Sequence, residues 1–299
     1  MAIRRFALSS AALRRILLLG ITTATAAILL TAVQAAPPNL TVEDIVQRNV
    51  ASIGAPQTRA AMKSLLVGGT ATFAFLSGGE GGSSGPFAFL TRGDKLLLQF
   101  KFNTSANRAE EFCFNGEKNL ISSIAPGKRS QLGQFLQDNG AILSEGLLGG
   151  TLSTAWPLLD TSARHPKLSI KGMKKVDGRD LYKMDYRPQH GGGDLQISLY
   201  FEPETFRHVL TTYELVISPT EAPTLIGGPD QSMRMPNTRY KLEEAFSDFK
   251  AQDGLTFPRQ WSLTLYYWGR VNSYSERFDM AVEHVDTNLA VDKTAFTIN

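Results

Sequence analysis

The sequence predicts a mainly β protein, built as one large antiparallel sheet with a helical segment inserted after the first group of strands. Three observations carry this. From Leu65 onward, apolar residues recur at every second position in segment after segment, the period of a strand with one oily face and one wet face. Asn115-Gly116, Asp177-Gly178 and Asp253-Gly254 mark tight hairpin turns between such segments. Over residues 129–159 the spacing changes to that of helices and then reverts. No internal repeat and no linker of disordered composition divides the chain, so residues 36–299 are expected to form a single domain.

The first 35 residues read as a signal peptide rather than as part of the fold. Arg4, Arg5, Arg14 and Arg15 form a basic start, Ile16 to Val33 is apolar, and Val33-Gln34-Ala35 offers small residues for cleavage before Ala36. The apolar run is also long enough to serve as an uncleaved anchor. The whole chain carries a net charge of +3. These four arginines exceed that surplus, which leaves −1 for the rest. No basic domain implies nucleic acid. The one cysteine, Cys113, lies in an apolar strand and reads as a small core residue; the chain is then stable through its core alone.

Thr41 caps a first helix that carries Glu43 and Asp44 in its first turn, shows an apolar stripe from Val42 to Ile53, and ends at Gly54. Pro56 starts a second short helix running to about Ser64. Five strands follow as a meander. Phe73 and Phe75 share a face of the first, Phe87 and Phe89 of the second, Leu98 and Phe100 of the third, and Phe112 and Phe114 of the fourth. The Gly78–Gly85 stretch reads as a flexible loop. Two helices are predicted in the insertion. Arg129–Asp138 carries Leu132, Phe135 and Leu136. Ile142–Leu159 carries Leu143, Leu147, Leu148, Leu152 and Trp156, interrupted by glycines that weaken it. Strands resume at Lys167. Leu195, Ile197, Leu199 and Phe201 alternate cleanly, a Pro- and Gly-rich loop spans 218–236, and a long closing hairpin puts Trp261, Leu263 and Leu265 opposite Phe278, Met280 and Val282.

Motifs for catalysis are weak. Gly81-Gly82-Ser83-Ser84-Gly85 has the spelling of a nucleophile elbow but lies between strands. Ser247 and Lys250 would point to opposite faces of a strand. No two of His165, His190, His208 and His284 stand at metal-ligand spacing, so no metal or other cofactor is expected. The acid pairs Glu110-Glu111 and Glu243-Glu244 read as edge and surface charges. His284, at the parity of Phe278, Met280 and Val282, is the expected inward histidine. What remains is an excess of apolar side chains. Ordinary core packing beneath the helices accounts for most of them; alternatively, if the sheet is curved and offers more apolar surface than the helices fill, Phe73, Phe75, Phe87, Phe89, Leu98, Phe100, Phe112, Phe114, Leu199, Trp261, Leu263, Leu265 and Met280 line a cavity for an apolar ligand.

Several stretches resemble the LolA and LolB-like periplasmic lipoprotein carriers: Thr41 to Val46 with Ile53-Gly54 closing the helix, Met62-Lys63-Ser64 leading to Gly68-Gly69-Thr70, Gly254 to Pro258 before the last hairpin, and Asn288 and Phe296 in the closing segment. The resemblance implies an incomplete, half-open β-barrel with helices over its concave face as a lid, which here would carry Leu132, Phe135, Leu136, Leu143, Leu147, Leu148, Leu152 and Trp156. It implies a non-catalytic, exported periplasmic protein that binds lipids or the acyl chains of lipoproteins. A membrane donor or acceptor protein would be its partner, and it would act as a monomer. The alternative is an envelope sensor or scaffold using the same fold to bind a protein.

Overall fold

The computed structural model describes residues 40–102, 109–218, 237–269 and 271–298. The expected signal segment, the body of the Pro- and Gly-rich loop and Arg270 in the last turn lie outside them. Leu40–Asn299 forms one compact unit.

Helices α1 (Val42–Ile53) and α2 (Pro56–Ala61) open it. Thr41 caps α1 reciprocally with Asp44: the Thr41 hydroxyl accepts from the Asp44 N–H, and the Asp44 carboxylate accepts from the Thr41 N–H. Gly54 ends α1 where the chain bridges Leu255; a Cβ there would stand 2.5 Å from the Gly254 carbonyl.

Five strands follow: β1 (Ser64–Ser77), β2 (Gly82–Arg92), β3 (Lys95–Phe100), β4 (Glu110–Phe114) and β5 (Asn119–Ile121). Seven come after the insertion: β6 (Lys167–Val176), β7 (Arg179–Arg187), β8 (Gln196–Phe201), β9 (His208–Ile217), β10 (Thr238–Gln252), β11 (Leu255–Trp268) and β12 (Ser273–Thr287). All twelve form one sheet in the order β5-β4-β3-β2-β1-β12-β11-β10-β9-β8-β7-β6. It consists of two meanders, zipped together where β1 pairs antiparallel with β12. The glycine-rich loop is shorter than its composition suggested. Strand β2 already starts at Gly82, and Ser83 and Ser84 are paired with β1.

The sheet is strongly rolled. Strands β2 and β11 are three positions apart, roughly 14 Å along a flat sheet, yet the rings of Phe89 and Trp261 lie 5.2 Å centroid to centroid. Phe100 on β3 and Phe278 on β12, also three strands apart, lie at 5.3 Å. Only a curled sheet brings such side chains together. The two ends of the order, β5 and β6, do not pair, so the curl stays open.

This topology fixes the place of the insertion. Its ends join β5 and β6, the two opposite edges, so the connecting chain must cross the width of the sheet. It does so over the inner face, where its apolar side chains join the main core. The outer face carries two smaller clusters. In one, Phe296 from the closing segment covers Leu97 and Cys113.

Candidate functional site

The crossing segment is less helical than its spacing predicted. Helix α3 (Gln131–Asp138) forms, with Ser130 as its cap. The expected second helix over residues 142–159 does not. One turn, α4 (Ala141–Ser144), is followed by two 3-10 turns, Gly150–Leu152 and Pro157–Leu159, and a last short helix α5 (Thr161–Arg164) that the sequence reading lacked. The cause is backbone conformation. Gly146, Gly149 and Gly150 adopt φ of 68°, 85° and 49°, which break a right-handed helix. Gly149 is further constrained by space, since a Cβ there would stand 2.3 Å from the Phe89 ring. The glycines that seemed to weaken a helix instead bend a strap onto the sheet.

All eight apolar strap residues named from the sequence are buried against the inner face, Leu132 through Trp156. Of the thirteen inner-wall candidates, eleven are buried in the same cluster. Phe73 and Phe75 are half-buried at the far end of β1, edge to face at 5.1 Å. Wall and strap fill each other, so the inner face is closed by the chain itself.

Polar groups pin the strap in place, and sequence reasoning missed the main ones. Glu244 on β10 and Glu110 on β4 are buried inward, not on the surface; only their neighbours Glu243 and Glu111 face out. Glu276 on β12 joins them inside. The signal was present: Glu110, Glu244 and Glu276 each fall at the parity of the apolar residues beside them, such as Phe112, Phe246 and Phe278.

Glu244 accepts from three donors: the Gly149 N–H of the strap (2.7 Å), the Trp261 indole (2.9 Å) and the Tyr213 hydroxyl (2.9 Å). Burial still pushes its carboxyl up to about 7. Glu110 and Glu276 meet the start of α3. Glu276 accepts from the Leu132 N–H (3.1 Å), and Glu110 accepts from the Ser130 hydroxyl, which itself accepts from the Gly133 N–H. The second oxygen of Glu110 is buried without a partner among the described residues. Burial raises both carboxyls to about 7, and the nearby Glu110 adds to the shift of Glu276.

Further pins come from the walls. The Tyr186 hydroxyl donates to Glu145 (2.6 Å), and the Trp156 indole donates to the Asn49 side-chain carbonyl (3.2 Å). Asn49 is buried and passes a hydrogen bond on to the Phe206 carbonyl (3.0 Å), which ties α1, strap and sheet together.

The inward histidine is His208, not His284. Strand β12 has a bulge opposite Gly68 and Gly69, so Val282 and Val285 both face the core and His284 is turned out, its side chain 70% exposed. His208 is fully buried between Trp156 and Phe246, 2.8 Å from the Thr211 hydroxyl. Burial drives its pKa down to about 3, so the ring is neutral. A neutral ring packed among aromatics, with its other nitrogen unpartnered among the described residues, has no exposed atom for a substrate.

The molecule is thus a rolled, open antiparallel sheet whose inner face is covered by its own crossing strap. No family model and no curated protein matches the chain. Among solved structures it is similar to a LolA superfamily protein from Nitrosomonas europaea, at 12% identity over 87% of this chain and 98% of that one, with a TM-score of 0.46. It is also similar to a DUF1329 family protein from Desulfovibrio piger, at 12% identity over 86% and 97%, with a TM-score of 0.40. A Vibrio parahaemolyticus domain described as an outer membrane lipoprotein-sorting protein is similar at 9% identity over 84% and 97%, also at 0.40. One of these solved structures is described by the name of the superfamily that the sequence motifs resemble. No ligand or partner is taken from them at such scores.

Proposed function

We propose that the protein is an exported carrier or binding protein for lipids or the acyl chains of lipoproteins, and that the strap is the lid of its binding site. The observation that carries this reading is the lid's construction. Eight apolar side chains lie on a mostly irregular backbone over a curled aromatic wall, and they are held by a few polar pins rather than by a regular helix layer. Fully burying such side chains contributes about 1.5–3 kcal/mol each. An acyl chain of about fifteen carbons represents roughly 12 kcal/mol, the same order as several of them together. A chain of that kind can replace lid side chains on Phe89, Phe100, Phe112 and Trp261 without leaving the wall exposed. In the described form the lid side chains themselves cover the wall.

Export follows from the basic and apolar start of the sequence, with removal before Ala36 expected by N-terminal sequencing of the protein from its native envelope. The carrier reading is checked with delipidated protein. It should take up fluorescent fatty acid or lipopeptide and show bound lipid by native mass spectrometry; no uptake in either assay rejects it.

A second reading has one observation in its favour. The closed inner face is already filled, which suits a sensor or scaffold that binds a protein partner on its outside. Such a protein would be recovered crosslinked to a partner and carry no lipid.

A further inference from the structure

The outer face of the β6–β7 hairpin carries a concentration of positive charge that the lid and the inner wall do not use. Residues 167–187 hold seven Lys or Arg against three Asp, a net +4, while the rest of the chain from residue 40 sums to −5. Strand alternation sorts these charges by face. Leu168, Ile170, Met184 and Tyr186 pack inward, so Lys167, Lys183 and Arg187 point outward. Past the bulge between Ile170 and Met173, Lys174 and Arg179 share the outer face with Leu181. Lys171 reaches the same face, 3.4 Å from Asp185.

Lysines on an edge strand are a common guard against sheet-to-sheet pairing, and β6 is an edge. That role does not explain the arrangement. The cations continue onto β7, an interior strand. Lys167 and Arg187 are direct cross-strand partners, a like-charge pairing that costs stability, and among the described residues neither has an ion-pair partner. The nearby Asp185 is instead shared between Lys171 and Lys183 (3.6 Å) and further held by the Ser198 hydroxyl. These side chains surround a concavity of about 440 Å³ floored by Ser169, Gln196 and Ser198.

We propose that this face docks the protein onto an anionic phospholipid bilayer. The spread of charge favours an extended anionic surface over a single small anion. The cations run the length of β6, ten residues or roughly 33 Å, whereas one phosphate would engage two or three of them. The net negative charge of the remaining chain orients the molecule, with this face toward the membrane and the rest away. The proposal goes beyond the carrier reading and does not depend on it, because docking needs no bound lipid.

The test is sedimentation of the protein, freed of its N-terminal segment, with phosphatidylcholine vesicles that contain or lack phosphatidylglycerol. Binding is expected only with phosphatidylglycerol, and it should weaken as salt rises and the screening length shrinks from about 10 Å at 0.1 M to about 3 Å at 1 M. A variant with Lys167→Gln, Lys171→Gln, Lys183→Gln and Arg187→Gln should bind more than about tenfold less, since each basic residue near such a surface contributes about fivefold. A control with Lys63→Gln, Lys101→Gln, Lys118→Gln and Lys128→Gln has the same net charge and should bind far better than the patch variant. Asp185→Asn should bind more tightly than the parent. The proposal is overturned by no binding at low salt, or by equal losses in the two fourfold variants. It is also overturned if inorganic phosphate competes better than chloride at matched ionic strength, which would mark a free-anion pocket.

Discussion

Glu244 and the pair Glu110–Glu276 both lie inside the sheet and both hold the strap, but they are built differently. Glu244 sits at the centre of a complete network, with donors from the strap, from β9 and from β11 on its two oxygens. The pair has two acids at one helix start, one backbone donor, one hydroxyl and an orphaned oxygen. A buried carboxylate whose donors are all provided organises its surroundings, whereas two acids sharing too few donors make their surroundings dependent on a proton. The middle of the strap is therefore held by Glu244 through a full set of donors, whereas its α3 end is held conditionally, through an incomplete one.

The largest expected effect comes from breaking the complete network. Glu244→Ala leaves the Gly149 N–H, the Trp261 indole and the Tyr213 hydroxyl without a partner in the interior. A loss of about 3–5 kcal/mol is expected in denaturant unfolding. Glu244→Gln keeps the shape and part of the bonding, so it should cost less. Equal losses for the two variants would mean that neither the volume nor the bonding retained by Gln matters at this site, only the carboxyl group itself.

Gly149→Ala tests the same anchor from the strap side. Its φ of 85° is unfavourable for alanine, and the new Cβ would meet the Phe89 ring at 2.3 Å. Together these should cost about 3 kcal/mol. If the strap rather than the sheet absorbs the strain, the carrier reading predicts faster uptake of a fluorescent fatty acid than in the parent, because the strap is already lifted at its midpoint. Unchanged stability would show that Gly149 is not what fixes the bend.

The difference between these anchors was only partly legible in the sequence. Strand period and hairpin turns place most of the inner wall correctly, because burial on one face imposes alternation and alternation is visible in a chain. The same rule puts Glu110, Glu244 and Glu276 inside. Glu110 and Glu244 nonetheless read as surface acids, because an isolated charge is costly to bury, and the donors that offset the cost come from residues far away in sequence. Asn49 is a parallel case: it falls on the apolar stripe of α1, but its partners are Trp156 and Phe206. His284 failed for a different reason, since a bulge shifts parity by one and leaves no local mark. The strap's course could not come from helical spacing. It follows from topology, because only the strand order reveals that β5 and β6 are opposite edges.

The smallest expected effect is the one that defines the conditional anchor. In the folded protein the Glu276 carboxyl titrates near 7, against 4.5 for a free one. Between those values the folded form holds more protons than the unfolded chain, so stability falls as pH rises. The contribution is fully present below pH 4.5 and is lost as pH passes through about 7. Glu110 and Glu244, both also raised to about 7, have the same sign, so all three add to the pH dependence of the parent, and Glu276→Gln isolates one of them. Glu276→Gln removes the charge but keeps an acceptor for the Leu132 N–H. It should therefore be close to neutral at pH 5 and more stable than the parent by about 1–2 kcal/mol at pH 8; the full shift would correspond to about 3 kcal/mol. Urea unfolding at the two pH values measures this directly. A parent whose stability is flat from pH 5 to 8, or a variant equally destabilised at both, would remove the distinction between the anchors. If the distinction holds, Glu276→Gln should flatten the pH dependence of hydrogen exchange in α3 and leave that around Gly149, which depends on Glu244, as in the parent.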